Sequence, residues 1–233
     1  MLNVRGGLNA HNRPSCSVQI LPKLRASHQE GLNTIQIQNV RSKVVALIAE
    51  GCDQEEMAAA VKELIASCPI SRDELAAKAF PLGQGTWKVF HAPHISRISS
   101  VLGAKFDPIL YKLEGDKLSS YVKYSHPLVG MGWLNAAGSM GRKYDDTVDI
   151  HFDRFWLDGP ETLREEIPRD AYSGLKDMDD WMSKLGRGFF FPQLALFPIH
   201  YLDEELCVFE FPPLNSKIAV QKISSAAQNS LAA

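Results

Sequence analysis

No aspartate or glutamate occurs between Met1 and Gln29, although 27 of the 233 residues are acidic. Arg5, Arg13, Lys23 and Arg25 make that stretch basic, and Ser15, Ser17 and Ser27 add hydroxyls. It also lacks the apolar core of a secretory signal, since Val18-Gln19-Ile20-Leu21 is too short to serve as one. A basic, hydroxylated, acid-free start is the pattern of an organellar transit peptide, here residues 1–28, expected to be removed and not to fold with the rest. The composition does not separate chloroplast from mitochondrion, and a basic tail that stays attached is the alternative.

Other absences exclude whole classes of function. There is no run of 18 apolar residues, so the sequence offers no membrane-spanning helix. The four cysteines, Cys16, Cys52, Cys68 and Cys207, contain no Cys-x-x-Cys pair and read as small buried hydrophobes rather than a disulfide framework or zinc site. No helical His-Glu-x-x-His is present, and no Gly-x-Ser-x-Gly elbow, so neither zinc hydrolysis nor a serine nucleophile has its usual frame. Gly83-Gln84-Gly85 precedes a strand pattern, whereas a phosphate cradle needs a helix N-terminus. Beyond residue 28 the chain carries 21 basic and 27 acidic side chains, an acidic balance that argues against nucleic acid as the main partner.

What remains is about 205 residues, enough for one domain with a sizeable core. Up to residue 80 the apolar positions follow helical spacing: Val40, Val44, Leu47 and Ile48, then Met57, Val61, Leu64 and Ile65. Asp53 with Glu56 and Ser71 with Glu74 are spaced as capping boxes, so the pattern predicts helices at 34–50, 53–67 and 71–79. Pro81, Gly83 and Gly85 then break the helical pattern. From there the alternation predicts eight short strands, at 85–91, 105–112, 117–125, 130–140, 147–157, 195–202, 206–211 and 216–223. Glu114-Gly115-Asp116 and Asp203-Glu204-Glu205 read as hairpin turns, and the glycines from Gly130 to Gly141 suggest bulges or close backbone approach. Asp158 to Phe191 is a polar, Pro- and Gly-punctuated excursion with a short helix expected around Leu175–Leu185, followed by the apolar run Gly188–Pro192. Residues 224–233 read as a disordered tail.

The fold class expected is therefore α+β, mainly β: N-terminal helices over 34–80, then an antiparallel barrel over 81–223 with a long insertion before its last strands. Two stretches, Phe80–Ile95 (FPLGQGTWKVFHAPHI) and His200–Phe211 (HYLDEELCVFEF), look like the first and last strands of that barrel. Gly85, Trp87, His91 and the Tyr201–Leu206 segment resemble the strands that open and close the barrel of the plastid lipid-associated proteins, or fibrillins. The resemblance covers residues 34–223 and is to a divergent member, since Pro212-Pro213 stands where many members carry an Arg-Gly pair. It implies a lipocalin-like fold that binds or coats apolar molecules such as an isoprenoid, quinone, pigment or acyl lipid. It further implies no catalysis, no cofactor, and a chloroplast location in the stroma, on thylakoids or on plastoglobules. An interaction scaffold for an enzyme of plastid lipid or quinone metabolism is the alternative.

The candidate ligand-binding residues are aromatic side chains from several strands with a few polar tips: Trp87, Tyr121, Trp133, Phe152, Arg154, Trp156 and Tyr201. On an unbroken strand, Phe152, Arg154 and Trp156 share a face with Val148 and Ile150. A solid aromatic core is the other outcome for such a pattern. His151 and Asp153 hold metal-type ligands two residues apart, a spacing common by chance, and no metal site is assigned to them. For targeting, the mature N-terminus is expected within a few residues of Ala26–Gly31; sequencing the protein recovered from plastids checks this, and an intact Met1 or Leu2 would overturn it.

Overall fold

The computed structural model describes residues 20–164, 166–169, 171–173 and 196–223, with side chains described for 34–164, 166–169, 171 and 196–223. The predicted helix at 175–185 and the run Gly188–Pro192 lie outside the described residues, as do Cys16, residues 1–19 and 224–233. The chain forms two compact units, Met1–Gln36 and Ile37–Ala233. Helix α1 (Ile20–Glu50) runs through the boundary and starts well before the predicted residue 34.

Helix α2 (Gln54–Ala66) begins as its sequence requires: the Asp53 carboxylate accepts the amide protons of Glu55 and Glu56 at 2.9 and 2.8 Å. Its buried stripe, Met57, Ala60, Val61 and Leu64, packs with Val44 and Leu47 of α1 against Tyr201, Leu206, Val208 and Ala219. Helix α3 (Leu75–Gly83) departs from expectation at both ends. Glu74, not Ser71, is the N-cap, and Pro81 sits inside the helix. Proline there deprives only the Ala77 carbonyl of its intrahelical partner, and just two residues of helix follow. Gln84 then fastens the helix end to the next turn but one: its amide donates to the carbonyls of Phe80 (2.7 Å) and Gly115 (3.0 Å) and accepts from the Gly115 amide (2.7 Å).

The strands are β1 (Gly85–His91), β2 (Lys105–Glu114), β3 (Lys117–His126), β4 (Gly130–Tyr144), β5 (Thr147–Asp158), β6 (Tyr172–Ser173), β7 (Leu196–Leu202), β8 (Leu206–Phe211) and β9 (Ser216–Ile223). Eight of them close an antiparallel ring in the order β1-β2-β3-β4-β5-β7-β8-β9, with β1 paired to β9, and β6 adds to the edge of β5. This is the antiparallel barrel that the alternation predicts, in the α+β, lipocalin-like class that the resemblance implies. The closing strand is Ser216–Ile223, whereas His200–Phe211 holds the hairpin of β7 and β8 around its acidic turn.

One local feature resets the faces of β5. Ala137 pairs with Arg154 but Gly138 pairs with Phe152, so Asp153 is an extra residue in the ladder. A Cβ on Gly138 would lie 1.8 Å from the His151 carbonyl oxygen, which is why only glycine stands there. Val148, Ile150 and Phe152 thus share one face, while Arg154 and Trp156 turn to the other. This corrects the unbroken alternation read from the sequence.

Between β1 and β2 the structure inserts α4 (Pro93–Leu102), where the sequence reading had only the tail of the first strand. Its signals are local: proline in the first turn, and Gly103 at φ 65° ending it. His94 anchors it, with Nδ1 at 2.9 Å from the Ser216 hydroxyl and its ring stacked on Phe211 at 5.0 Å. Among the described residues no helix is long and apolar enough to cross a membrane.

Two predictions follow from these contacts. Gly138→Ala should destabilise the barrel by about 1–3 kcal/mol, because either the bulge or β5 must move, and an unchanged thermal midpoint would refute that placement of the strands. His94 is pushed down to about 4 by burial first, then by Arg97 and His91, and burial lowers His91 as well. The unfolded chain takes these protons from about pH 6.5 downward while the folded chain refuses them. Stability is therefore full above that value and falls toward pH 4; His94→Gln, which keeps a hydrogen bond available to Ser216, should flatten the slope of midpoint against pH over that window.

Candidate functional site

The barrel is filled at one end and hollow at the other. Phe106, Ile109, Tyr124 and Leu134 pack with Ala104 and with Ile98 and Leu102 of α4, closing the interior on that side. At the opposite side Leu75, Ala76 and Ala79 of α3 pack against Leu113, Leu118, Met140, Val148, Ile199 and Leu202. α3 enters that cluster with small residues, and a void of about 140 Å³ remains beneath it. Ala79 and Gly83 line it from the helix, and Trp87, Tyr111, Ile150, Phe152, Phe197, Cys207 and Phe209 are among its strand residues.

Each lining side chain arrives by strand alternation. Trp87 and Tyr111 face each other as neighbours on β1 and β2. The Trp87 indole N–H is spent on the Gly83 carbonyl at 2.6 Å, which ties β1 to the end of α3. Trp87 keeps 5% of its surface accessible. Lys222 lies over its ring, 4.9 Å from the centroid, and donates to the Leu82 carbonyl at 2.8 Å. Tyr111 meets Phe209 edge-on at 6.1 Å, and Phe197 meets Phe209 the same way at 5.9 Å. Among the described residues no charged side chain lines the void.

The two titratable groups of the lining are both held neutral. Burial pushes the Tyr111 phenol up to about 12. Burial, then Asp203 and Cys68, push the Cys207 thiol up to about 12, so it is a thiol and a poor nucleophile at neutral pH. Chemically the cavity offers dispersion contacts, one phenol and one thiol.

The predicted site residues divide among three places. Trp87 and Phe152 line the cavity. Tyr121, Trp133 and Trp156 lie on the other face of the sheet, buried with Leu110 and Ala137 and covered by Leu163, Ala171 and Ile223. There Tyr121 and Trp156 meet edge-on at 6.4 Å, and Asp158 accepts from Trp156 Nε1 (3.2 Å), from Asn135 Nδ2 (2.7 Å) and from Arg164. Arg154 is exposed beside this cluster and pairs with Ser173 of β6 in the ladder. Tyr201 is buried under α1 and α2, and its hydroxyl donates to Asp203 at 2.6 Å, next to Arg41 of α1 at 3.2 Å from the same carboxylate. The Tyr201–Leu206 segment is thus a turn built on Asp203, whose second oxygen accepts the amides of Glu205 and Leu206 at 2.7 Å each. His151 and Asp153 are both exposed, and among the described residues no group of three metal-type ligands converges.

No protein-family model matches the chain, and no curated protein matches it. The cavity residues outside the predicted set, chiefly Tyr111, Met140, Ile150, Phe197, Cys207 and Phe209, carry a readable signal only once register is known. Tyr111 is the cross-strand partner of Trp87, and Ile150 alternates with Phe152. Cavity filling tests the assignment. Ala79→Leu should leave the fold intact and raise the thermal midpoint by occupying the void from α3, whereas a drop of several degrees would mean that the void is not where Ala79 points.

Proposed function

We propose that this protein binds an apolar small molecule inside its barrel without transforming it. The observation that carries the reading is the apolar cavity beneath α3, bounded on several strands by rigid aromatic rings. Its lining supports binding over catalysis, because the phenol and thiol it offers are both held protonated. The volume, about 140 Å³, is that of an engineered cavity known to hold benzene, so it takes a ring or the end of a chain. A long isoprenoid, pigment or acyl lipid would enter by one end only. The acid-free N-terminus supports an organellar setting, and the resemblance to fibrillins supports a plastid as that organelle.

The second reading, an interaction scaffold, has its own observation. Leu128 and Val129 on the turn between β3 and β4, and Met131 at the start of β4, stand exposed at 91%, 46% and 59% of their surface, and Val101 of α4 is exposed at 84%. Apolar groups on a hairpin tip suit contact with a partner. Fluorescence separates the two. Small neutral ring compounds should quench Trp87 saturably at one per chain in the wild type, and Ala79→Phe, which places a ring in the cavity, should abolish this. Absence of saturable quenching by any apolar compound, with capture of a plastid enzyme that Leu128→Ser and Met131→Ser weaken, would replace the carrier by the scaffold.

A further inference from the structure

Tyr111 lines the cavity, and its hydroxyl has no hydrogen-bond partner among the described residues. The side chain is half-buried. A hydroxyl that lines a cavity and has no partner among the described residues is a donor available to whatever occupies that cavity. Around it the alternatives are few. The Trp87 indole N–H is committed to Gly83, and the Cys207 thiol is a weak donor. Phe209, edge-on at 6.1 Å, and the neighbouring strand residue Trp87 hold the phenol ring in place, so its hydroxyl is presented at a defined point.

We infer that the cavity selects an uncharged molecule, or the uncharged end of one, of single-ring size, which offers one hydrogen-bond acceptor such as a carbonyl or ether oxygen to the Tyr111 hydroxyl. This rests on the reading of the cavity as a ligand site and adds its specificity. Charge is excluded by desolvation: an anion entering the void would exchange water for aromatic and aliphatic carbon, with no cation in the lining to receive it. Lys222 is the cation beside Trp87, and its ammonium is already engaged with the Leu82 carbonyl and the indole face. Size is set by the volume, about 140 Å³, which one substituted ring fills.

The test uses three ring compounds of matched size: cumene, with no acceptor; acetophenone, with one neutral acceptor; and benzoate, which is charged. Calorimetric titration of the full chain should show acetophenone and cumene binding and benzoate failing to bind. Tyr111→Phe should weaken acetophenone about five- to tenfold, the worth of one neutral hydrogen bond, and leave cumene unchanged or tighter. The same variant should melt no lower than the wild type, because the hydroxyl it loses has no partner among the described residues. Equal effects of Tyr111→Phe on both neutral compounds, benzoate binding as tightly as acetophenone, or a variant that melts lower would each overturn the inference while leaving a ligand site in place. Failure of all three compounds to bind would remove the ligand site itself.

Discussion

At Gly138 the backbones of β4 and β5 come too close for any side chain, and the facing of every residue after it on β5 depends on that approach. The extra residue, Asp153, is pushed out of the ladder there. Before it, Val148, Ile150 and Phe152 look into the barrel. After it, Phe155 is buried while Arg154 is exposed and Trp156 joins Tyr121 and Trp133 across the sheet. Without the bulge, Arg154 and Trp156 would continue the inward row that ends at Phe152, turning a cation and a large side chain toward the barrel interior.

The void also depends on how α3 ends. Ala79 and Gly83 face it with almost no side chain, and the carbonyl of Gly83 holds the Trp87 indole that would otherwise be an unpaired polar group in the barrel. Gln84 clamps the helix terminus to Gly115, so the small residues cannot withdraw. A filled core was within reach at Ala79 by the simplest of substitutions. On the proposed reading, a ligand's dispersion contacts take the place of such a side chain.

The aromatic residues sort by a similar logic. Those with an N–H or O–H that meets a carboxylate sit outside the barrel: Trp156 donates to Asp158, and Tyr201 to Asp203. Both carboxylates also meet an arginine, Arg164 and Arg41 respectively, so each outer aromatic cluster is pinned by a charge pair at its edge. These devices fasten the 158–164 turn and α1 to the sheet. Inside, the polar atoms are fewer and the rings meet one another.

Strand positions and turns were legible in the sequence because they follow from short-range rules. Alternation marks a strand, Gly115 takes the φ of 64° a tight hairpin needs, and Asp53 caps the helix that follows it by accepting amides two and three residues on. Alternation likewise put Trp87 and Phe152 toward one interior. Tertiary contact alone decided the rest. The bulge at Asp153 exists only when Gly138 lies opposite it, so the facing of Trp156 is a property of two strands and not of one. Pro81 was readable as a helix stop, yet the helix continues to Gly83 because Gln84 and Trp87 bond its last turn. Whether a ring of aromatic residues encloses a void or fills it depends on the volumes that meet from opposite sides of the barrel, and one strand's pattern contains no information about its partners' volumes.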